Sequence, residues 1–587
     1  MLYLRITLAG LSSLLVAACT ERPPAPAPPA QSAASFSHPS VSAAPATPPQ
    51  PALMTLSILG MNDLHGRLRA LPAFGGYLNN LRRAREQDGG AVAVVDAGDM
   101  FQGTLESNLT EGASVITAYR ALGFTAAALG NHEFDFGPVG DGAVGDPQGA
   151  IRARIAEAPF PILSANLVVR GTHEMPAWDK LRSSAIIEVG GVRVGFVGLL
   201  THETPAIVMR SWFEGLDVDP LAPVLENETR GLRKRGAEVV VALAHAGADC
   251  KDFSVPTDTA SCTHEAEIFD VARAQPPGSV DAIFAGHTHA GVAQIVNGVP
   301  IVEAYARGRA FSRVDLRLDR KTHRVLDSKV FPPHELCPKL TEGGPCTLTA
   351  YEGQPTLEDP AITQAIAPAL ALAEQRREMP LGCMVSESMS CEHATESPLG
   401  NLFADLLREA VKGSDVALLN GGSLRANLPA GALSYGELFE AMPFDNLVAR
   451  IRLTGGELKA VILAHLEHDS HGLISLSGVR VSARCGKSGP ELKLTRDNGR
   501  PVSDHETLLL VTSDYVATGG DGLLSALKLP PERIQIDAGV AFRDVLASEL
   551  RRHPQLSPKD PAIFDPAHPR LVMNTPRPLT CPALTPH

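Results

Sequence analysis

The sequence predicts an α/β protein of about two large domains, and three observations carry that expectation. Short apolar runs of strand length alternate with stretches of helical periodicity across the first 330 residues. Polar residues able to do chemistry stand where the apolar runs end, as at the carboxyl edge of a parallel sheet. At 587 residues, 44% of them hydrophobic and 20% charged, the chain exceeds one ordinary domain and has ample apolar material for its cores. The net charge of −13 comes without a long basic run, which argues against a nucleic-acid polymer as partner.

Residues 1–19 read as an export signal. Arg5 precedes an apolar run from Ile6 to Ala18, too short and wrongly flanked for a membrane-spanning helix. It ends in Leu15-Val16-Ala17-Ala18-Cys19, the form of a bacterial lipoprotein signal with Cys19 lipidated as the first mature residue. An ordinary cleaved signal peptide is the alternative. Residues 20–53 read as a tether: ten of the 33 residues from Thr20 to Ala52 are proline. Such a segment cannot bury a core, and fully extended it reaches ~100 Å. The expected location is outside the cytoplasm, lipid-anchored, facing the periplasm or cell exterior, with no obligate protein partner implied.

Cysteine usage fits export. Beyond Cys19 there are eight cysteines, and the simplest pairing runs in sequence order: Cys250 with Cys262, Cys337 with Cys346, Cys383 with Cys391, Cys485 with Cys581. Sequence does not fix the connectivity. The competing reading, a zinc site, lacks any Cys-x-x-Cys spacing.

The first domain is expected over residues 54–330. Leu56–Leu59 reads as a strand that runs into Asn62-Asp63-Leu64-His65-Gly66, and a helix follows over about Phe74–Arg85. The strand Ala91–Val95 leads to Asp96-Ala97-Gly98-Asp99. A helix over Ala113–Leu122 shows Val115, Ile116, Tyr119 and Leu122 on one face. The strand Thr125–Leu129 leads to Gly130-Asn131-His132-Glu133-Phe134-Asp135. Ala185–Val189 and Val192–Leu199 read as a hairpin turning at Gly190-Gly191. The strand at 238–244 delivers His245, and the strand at 280–284 delivers Gly286-His287-Thr288-His289.

A lone histidine at a strand end is more often structural than catalytic. Here several strand ends carry compatible groups, and together they make a two-metal site. A dinuclear pair needs a bridging ligand, which suits Asp99 beside its glycine. Asp63 and His65 lie two apart, as do His287 and His289, and on extended backbone each pair points one way. The expectation is Asp63, His65, Asp99 and His289 around one divalent ion, with Asp99, Asn131, His245 and His287 around the other. Zn, Mn, Co, Fe and Mg all suit such donors.

The blocks Asn-Asp-x-His-Gly, Gly-Asp, Gly-Asn-His-Glu-Phe-Asp, His-Ala-Gly and Gly-His-Thr-His resemble those of the calcineurin-like metallophosphoesterases, and more narrowly the 5′-nucleotidase and UDP-sugar hydrolase family. The resemblance implies a four-layer αββα domain, two-metal hydrolysis of phosphoesters, and a catalytic pair at His132 and Asp135. Glu133 receives no role.

Beyond Val330 the pattern breaks at Phe331-Pro332-Pro333. Residues 331–380 read as a connector, with a loop bearing Cys337 and Cys346 and a helix over about 357–377. A second α/β domain is expected over 381–572, with 573–587 as a tail. Its signals are Ser397-Pro398-Leu399-Gly400-Asn401 opening a helix, a strand over Asp415–Leu419, Asn420-Gly421-Gly422-Ser423-Leu424-Arg425, Met442-Pro443-Phe444-Asp445-Asn446, and Tyr515 through Gly522. Glycine pairs beside Asn and Arg can present donors to an anion, though such loops are often mere turns. The resemblance implies a substrate domain in which Phe444 and Tyr515 sandwich a nucleobase and Asn420, Arg425, Asn446 and Asp521 make polar contacts. The family carries arginine just before its Pro-Leu-Gly-Asn block; this chain reads Glu392-His393-Ala394-Thr395-Glu396. The expected substrate is a nucleoside 5′-phosphate. Alternatives are 2′,3′-cyclic nucleotides, UDP-sugars, or, outside catalysis, a surface-anchored binding lipoprotein with a vestigial site.

Overall fold

In a computed structural model, the described residues are 52–581 apart from 141–144, 264, 338–346, 445, 469–471, 487–488, 525–526, 528 and 575–576. The export segment with Cys19, all of the tether but its last residues, and Cys346 lie outside them.

Two six-stranded sheets build the first half. Along the first, the order is Val325–Glu335, Ala310–Asp319, Leu53–Met61, Ala91–Asp96, Ala126–Ala128, Ile162–Leu163, the last four parallel. Along the second it is Gly291–Val296, Val299–Ala304, Ala282–Ala285, Val239–His245, Val192–Leu200, Ser184–Val189, with the middle four parallel. Near-continuous apolar runs such as Val239-Val240-Val241-Ala242-Leu243 suit strands covered on both faces. Alternation decides which residue goes where. Leu56 and Ile58 meet Phe196, Val241 and Phe284 between the sheets. Leu59 and Met61 face Phe74, Leu78 and Tyr119 of the outer helices Leu71–Asp88 and Ala113–Leu122. On the far side, Val197, Leu199 and Val240 pack under the helices Leu221–Lys234 and Glu267–Ala274. The result is the four-layer αββα stack. The hairpin turns at Gly190 (φ 59°) and Gly191 (φ 87°), positive angles that glycine adopts freely.

The strand Val325–Glu335 continues through Phe331-Pro332-Pro333, where the sequence suggested a break. It is the edge strand of its sheet, and an edge tolerates prolines because their missing N–H groups can face away from the ladder.

The second half is organised on a five-stranded sheet in the order Ser475–Ser477, Val416–Leu419, Thr507–Ser513, Leu447–Thr454, Ile534–Ala541. Ala417 and Leu419 face one helical layer, which includes the helix Pro398–Ala410, while Val416 and Leu418 face the other. The two halves share the helix Pro360–Arg377. Its Ile362 and Ile366 belong to the first core and its Ala373 to the second. At its end Arg377 pairs with Glu106 of the first half (3.5 Å) and Glu440 of the second (2.9 Å).

Disulfides join Cys250 to Cys262 and Cys485 to Cys581, and Cys337 is also disulfide-bonded. Cys383 and Cys391 are free thiols, against the pairing in sequence order. The chain from Met384 to Met389 runs antiparallel beside Leu428–Ala432. Cys383 is buried and Cys391 half-buried, the latter's backbone N–H donating to Asn427 Oδ1 (2.9 Å).

Candidate active site

The carboxyl ends of the parallel strands meet along one edge, so Met61, Asp96, Ala128, His245 and Ala285 each hand the chain to a loop there. These loops are sharply turned. Of the thirteen non-glycine residues with positive φ among the described residues, five are Asp63, His65, Asp99, His287 and His289. The paired residues thus converge through left-handed turns, where extended backbone had been expected. Each such turn costs energy that the surrounding hydrogen bonds must hold, a pattern typical of functional sites.

Glu133 does much of that holding. Its carboxylate accepts backbone N–H bonds from Gly130 (2.6 Å), Asp99 (2.9 Å), Met100 (2.7 Å) and Phe101 (3.2 Å). It thereby ties the Asp99 loop to the Asn131–Phe134 turn. Gly130 has to be glycine for the same contact, since a Cβ there would lie 2.2 Å from Asp99 Oδ1. Glu133 carried no assigned role in the sequence; the available signal was an acidic residue inside an otherwise functional block, between His132 and Phe134.

Donor atoms of Asp63, His65, Asp99 and His289 all lie within 4.8 Å of one another, a grouping able to hold a metal ion. The tautomers agree. His65 Nδ1 is 2.8 Å from the Gln102 carbonyl, which can only accept, so the proton sits on Nδ1 and Nε2 presents its lone pair. That Nε2 lies 3.0 Å from His289 Nε2, and His289 Nε2 lies 3.3 Å from Asp63 Oδ1. Burial pushes the His65 pKa down to about 3, favouring the neutral ligand form. On the other side, His245 Nδ1 faces the Ala97 carbonyl at 3.0 Å, and its Nε2 is 3.1 Å from both Asp99 Oδ2 and Asn131 Oδ1. Lone pairs so close together call for a cation. Without a metal a proton serves: burial opposes it, but the Asp99 carboxylate outweighs burial and raises the His245 pKa to about 10. The donor set therefore fits divalent ions, and Asp99 is the carboxylate that faces both His65 and His245.

His287 is the partial exception. Its backbone N–H donates to Asp63 (2.9 Å) and its ring stands 5.1 Å from that of His245, yet its Nε2 faces Glu203 at 3.4 Å.

His132 stands beside the cluster. Its backbone N–H donates to Asp99 Oδ1 (2.8 Å), and its ring Nδ1 meets Asp135 Oδ2 at 2.5 Å. Burial disfavours the imidazolium, but Asp135 and Asp99 more than compensate and lift its pKa to about 9.

A cavity of about 520 Å³ opens from these groups into the second half of the chain. Asp99, Asn131, His132 and Asp135 line one side, while Asn420, Arg425, Phe444, Asn446, Tyr515 and Asp521 line the other. Asp521 accepts from Tyr515 Oη and Asn420 Nδ2, each at 2.7 Å, and the Arg425 guanidinium lies 5.0 Å from the Phe444 ring. His393, from the stretch without arginines, also reaches this wall, as does Trp212 from the first half.

Comparison with known proteins agrees with this architecture. The calcineurin-like phosphoesterase family matches residues 56–291, and the 5′-nucleotidase C-terminal domain matches residues 378–528. Endonuclease YhcR of Bacillus subtilis is 26% identical over 79% of this chain, which spans 37% of that protein's length. Protein UshA of Yersinia enterocolitica is 24% identical over 87% of the chain and 93% of its own length. A 5′-nucleotidase precursor from Thermus thermophilus has the same fold, with a TM-score of 0.63 at 22% identity, covering 89% of this chain and all of that one. With both domain families matched in order around a metal-capable Asp/His cluster, the chain belongs to the calcineurin-like metallophosphoesterases that carry a 5′-nucleotidase C-terminal domain, a family of metal-dependent phosphoester hydrolases.

Proposed function

We propose that the protein hydrolyses nucleoside 5′-phosphates, releasing nucleoside and phosphate, as an exported, lipid-anchored enzyme. The observation that carries this reading is the shared cavity, with phosphoester chemistry on one wall and two aromatic rings with polar side chains on the other. Asp63, His65, Asp99 and His289 would hold one ion and Asp99, Asn131, His245 and His287 the other. When bound, the ions supply Lewis acidity towards a phosphoryl oxygen and a water.

The chain's own groups do the rest. His132, held as a cation by Asp135, sits where charge develops on the phosphoryl group and on the leaving ribose oxygen. Asp521 accepts hydroxyl protons of the ribose. Phe444 and Tyr515 flank the base, while Arg425, Asn420 and Asn446 steer the polar remainder. Export rests on the apolar leader ending at Cys19 and on disulfides, which persist in oxidising compartments. Among the described residues no helix is long and apolar enough to cross a membrane.

Metal-loaded protein assayed against nucleoside 5′-phosphates, 2′,3′-cyclic nucleotides and UDP-sugars decides the substrate class. The expected outcome is the highest kcat/KM on 5′-monophosphates, and a preference for either other class overturns it. One observation favours a second reading: His393 lines the cavity where the family carries arginine, so a terminal phosphate is gripped by fewer fixed cations, which suits a diester such as a cyclic nucleotide.

A further inference from the structure

The loop that carries Phe444 and Asn446 has its carbonyls taken in a particular order. From its own half of the chain, the Arg425 N–H donates to the Ala441 carbonyl (2.8 Å) and the Phe542 N–H to that of Asn446 (2.7 Å). The buried guanidinium of Arg543 donates from one nitrogen to the Met442 carbonyl (3.1 Å) and the Phe444 carbonyl (3.0 Å), and its Nε donates to Tyr435 Oη (3.1 Å). The Pro443 carbonyl between them faces the other way. It accepts from Gln102 Nε2 (3.2 Å) and Asn108 Nδ2 (3.4 Å), two buried amides of the phosphoesterase half.

Gln102 has a second attachment. Its own carbonyl accepts the Nδ1 proton of His65, whose other nitrogen faces the metal cluster. It lies three residues past Asp99, at the end of the loop whose N–H groups Glu133 collects. One residue is thus bonded through its backbone to a candidate metal ligand and through its side chain to the loop that presents the Phe444 ring.

We propose that Gln102 is a positioning residue that couples the base slot to the metal centre, by holding the Pro443 carbonyl so that Phe444 is set for a nucleobase only when the two halves of the chain are engaged. This rests on the nucleotide reading above. A proline at 443 suits that role, because it restricts the backbone and has no N–H of its own to divert the contact. The buried Gln102 amide left without that carbonyl must find water or stay unpaired, which favours the engaged arrangement.

The test uses full-length, metal-loaded protein and Gln102→Met, which keeps length and volume while removing the donor. KM for a nucleoside 5′-monophosphate should rise about fivefold to tenfold, the worth of one or two neutral hydrogen bonds, with kcat changed less than about twofold. Selectivity for that substrate over para-nitrophenyl phosphate should fall by the same factor, with metal content by elemental analysis unchanged. In a Phe444→Ala background Gln102→Met should add nothing further, because the ring it positions is gone. Asn108→Ala, tested in the same way, reads the same carbonyl should Gln102→Met fold poorly. Additive effects with Phe444→Ala, equal losses on both substrates, or loss of metal overturn the coupling. A Phe444→Ala variant with unchanged nucleotide KM overturns the base slot itself. A strong Phe444→Ala effect beside silent Gln102→Met and Asn108→Ala overturns the coupling alone.

Discussion

Asp99→Asn probes the metal centre most directly. The native carboxylate faces His65 and His245 with one oxygen and the His132 N–H with the other, so it serves both halves of the cluster. The amide should cripple binding of both ions, read by elemental analysis; two ions at full occupancy would show that Asp99 does not bridge. His289→Ala should weaken mainly one site. His132→Ala should lower kcat by roughly 10²-fold or more with metal content intact, as for loss of a placed acid or cation. Metal lost in parallel would make His132 a ligand instead. Glu133→Gln isolates the scaffold. A glutamine has one acceptor oxygen, and its NH₂ would confront backbone donors that now meet a carboxylate. The expected cost is about 1–3 kcal/mol for each N–H left unpaired, seen as a lower Tm, and restoration of wild-type Tm by added metal would speak against a structural role.

Elements hold the second wall of the cavity in place as hydrogen bonds hold the Asp/His cluster. Ser397 caps the helix Pro398–Ala410: its hydroxyl accepts from the Gly400 N–H (3.1 Å) and donates to the Ser390 carbonyl (2.8 Å). Ser397→Ala should cost about 1–2 kcal/mol by thermal or denaturant unfolding, the usual worth of a lost N-cap plus one bond. An unchanged unfolding midpoint would mean water replaces both contacts. Asp514 performs a similar service between elements, accepting the N–H groups of Leu447 (3.0 Å) and Tyr515 (2.8 Å) at the ends of the two segments that bear the aromatic rings.

At the scale of the molecule, the proposed reading puts chemistry on one wall of the cavity and recognition on the other, so it requires the halves to meet around the substrate. The helix Pro360–Arg377 joins the halves, packed on both cores and paired to each through Arg377. Engineered cysteines that lock the halves apart should abolish turnover, and full activity in a verified cross-linked form would refute a requirement for closure. The double change Phe444→Ala with Tyr515→Ala should raise KM steeply for nucleoside phosphates, each lost stack costing about 1–3 kcal/mol. A small aryl phosphate, which reaches the metals without the base slot, should respond far less. Unchanged nucleotide kinetics in a folded double variant would shift the reading to another phosphoester.

Much of this was legible in the residues. Apolar runs of strand length named eight of the sheet strands to within three residues, because a buried parallel strand must be apolar on both faces, and the chemistry-bearing groups followed those runs directly. What lay beyond the sequence was whatever depends on partners distant along the chain. Pro332 and Pro333 looked like a break until their strand proved to lie at a sheet edge, where the lost N–H matters little. Cys383 and Cys391 looked like a pair, yet both are free thiols in the fold. Glu133 had no role until three N–H groups from the Asp99 loop were found on its carboxylate. Gln102 was one polar residue among many until the Pro443 carbonyl arrived from 341 residues away. Periodicity and composition are local and can be read along the chain. Strain, tautomer and the closing of one half on the other are properties of contacts, and only the folded molecule sets them.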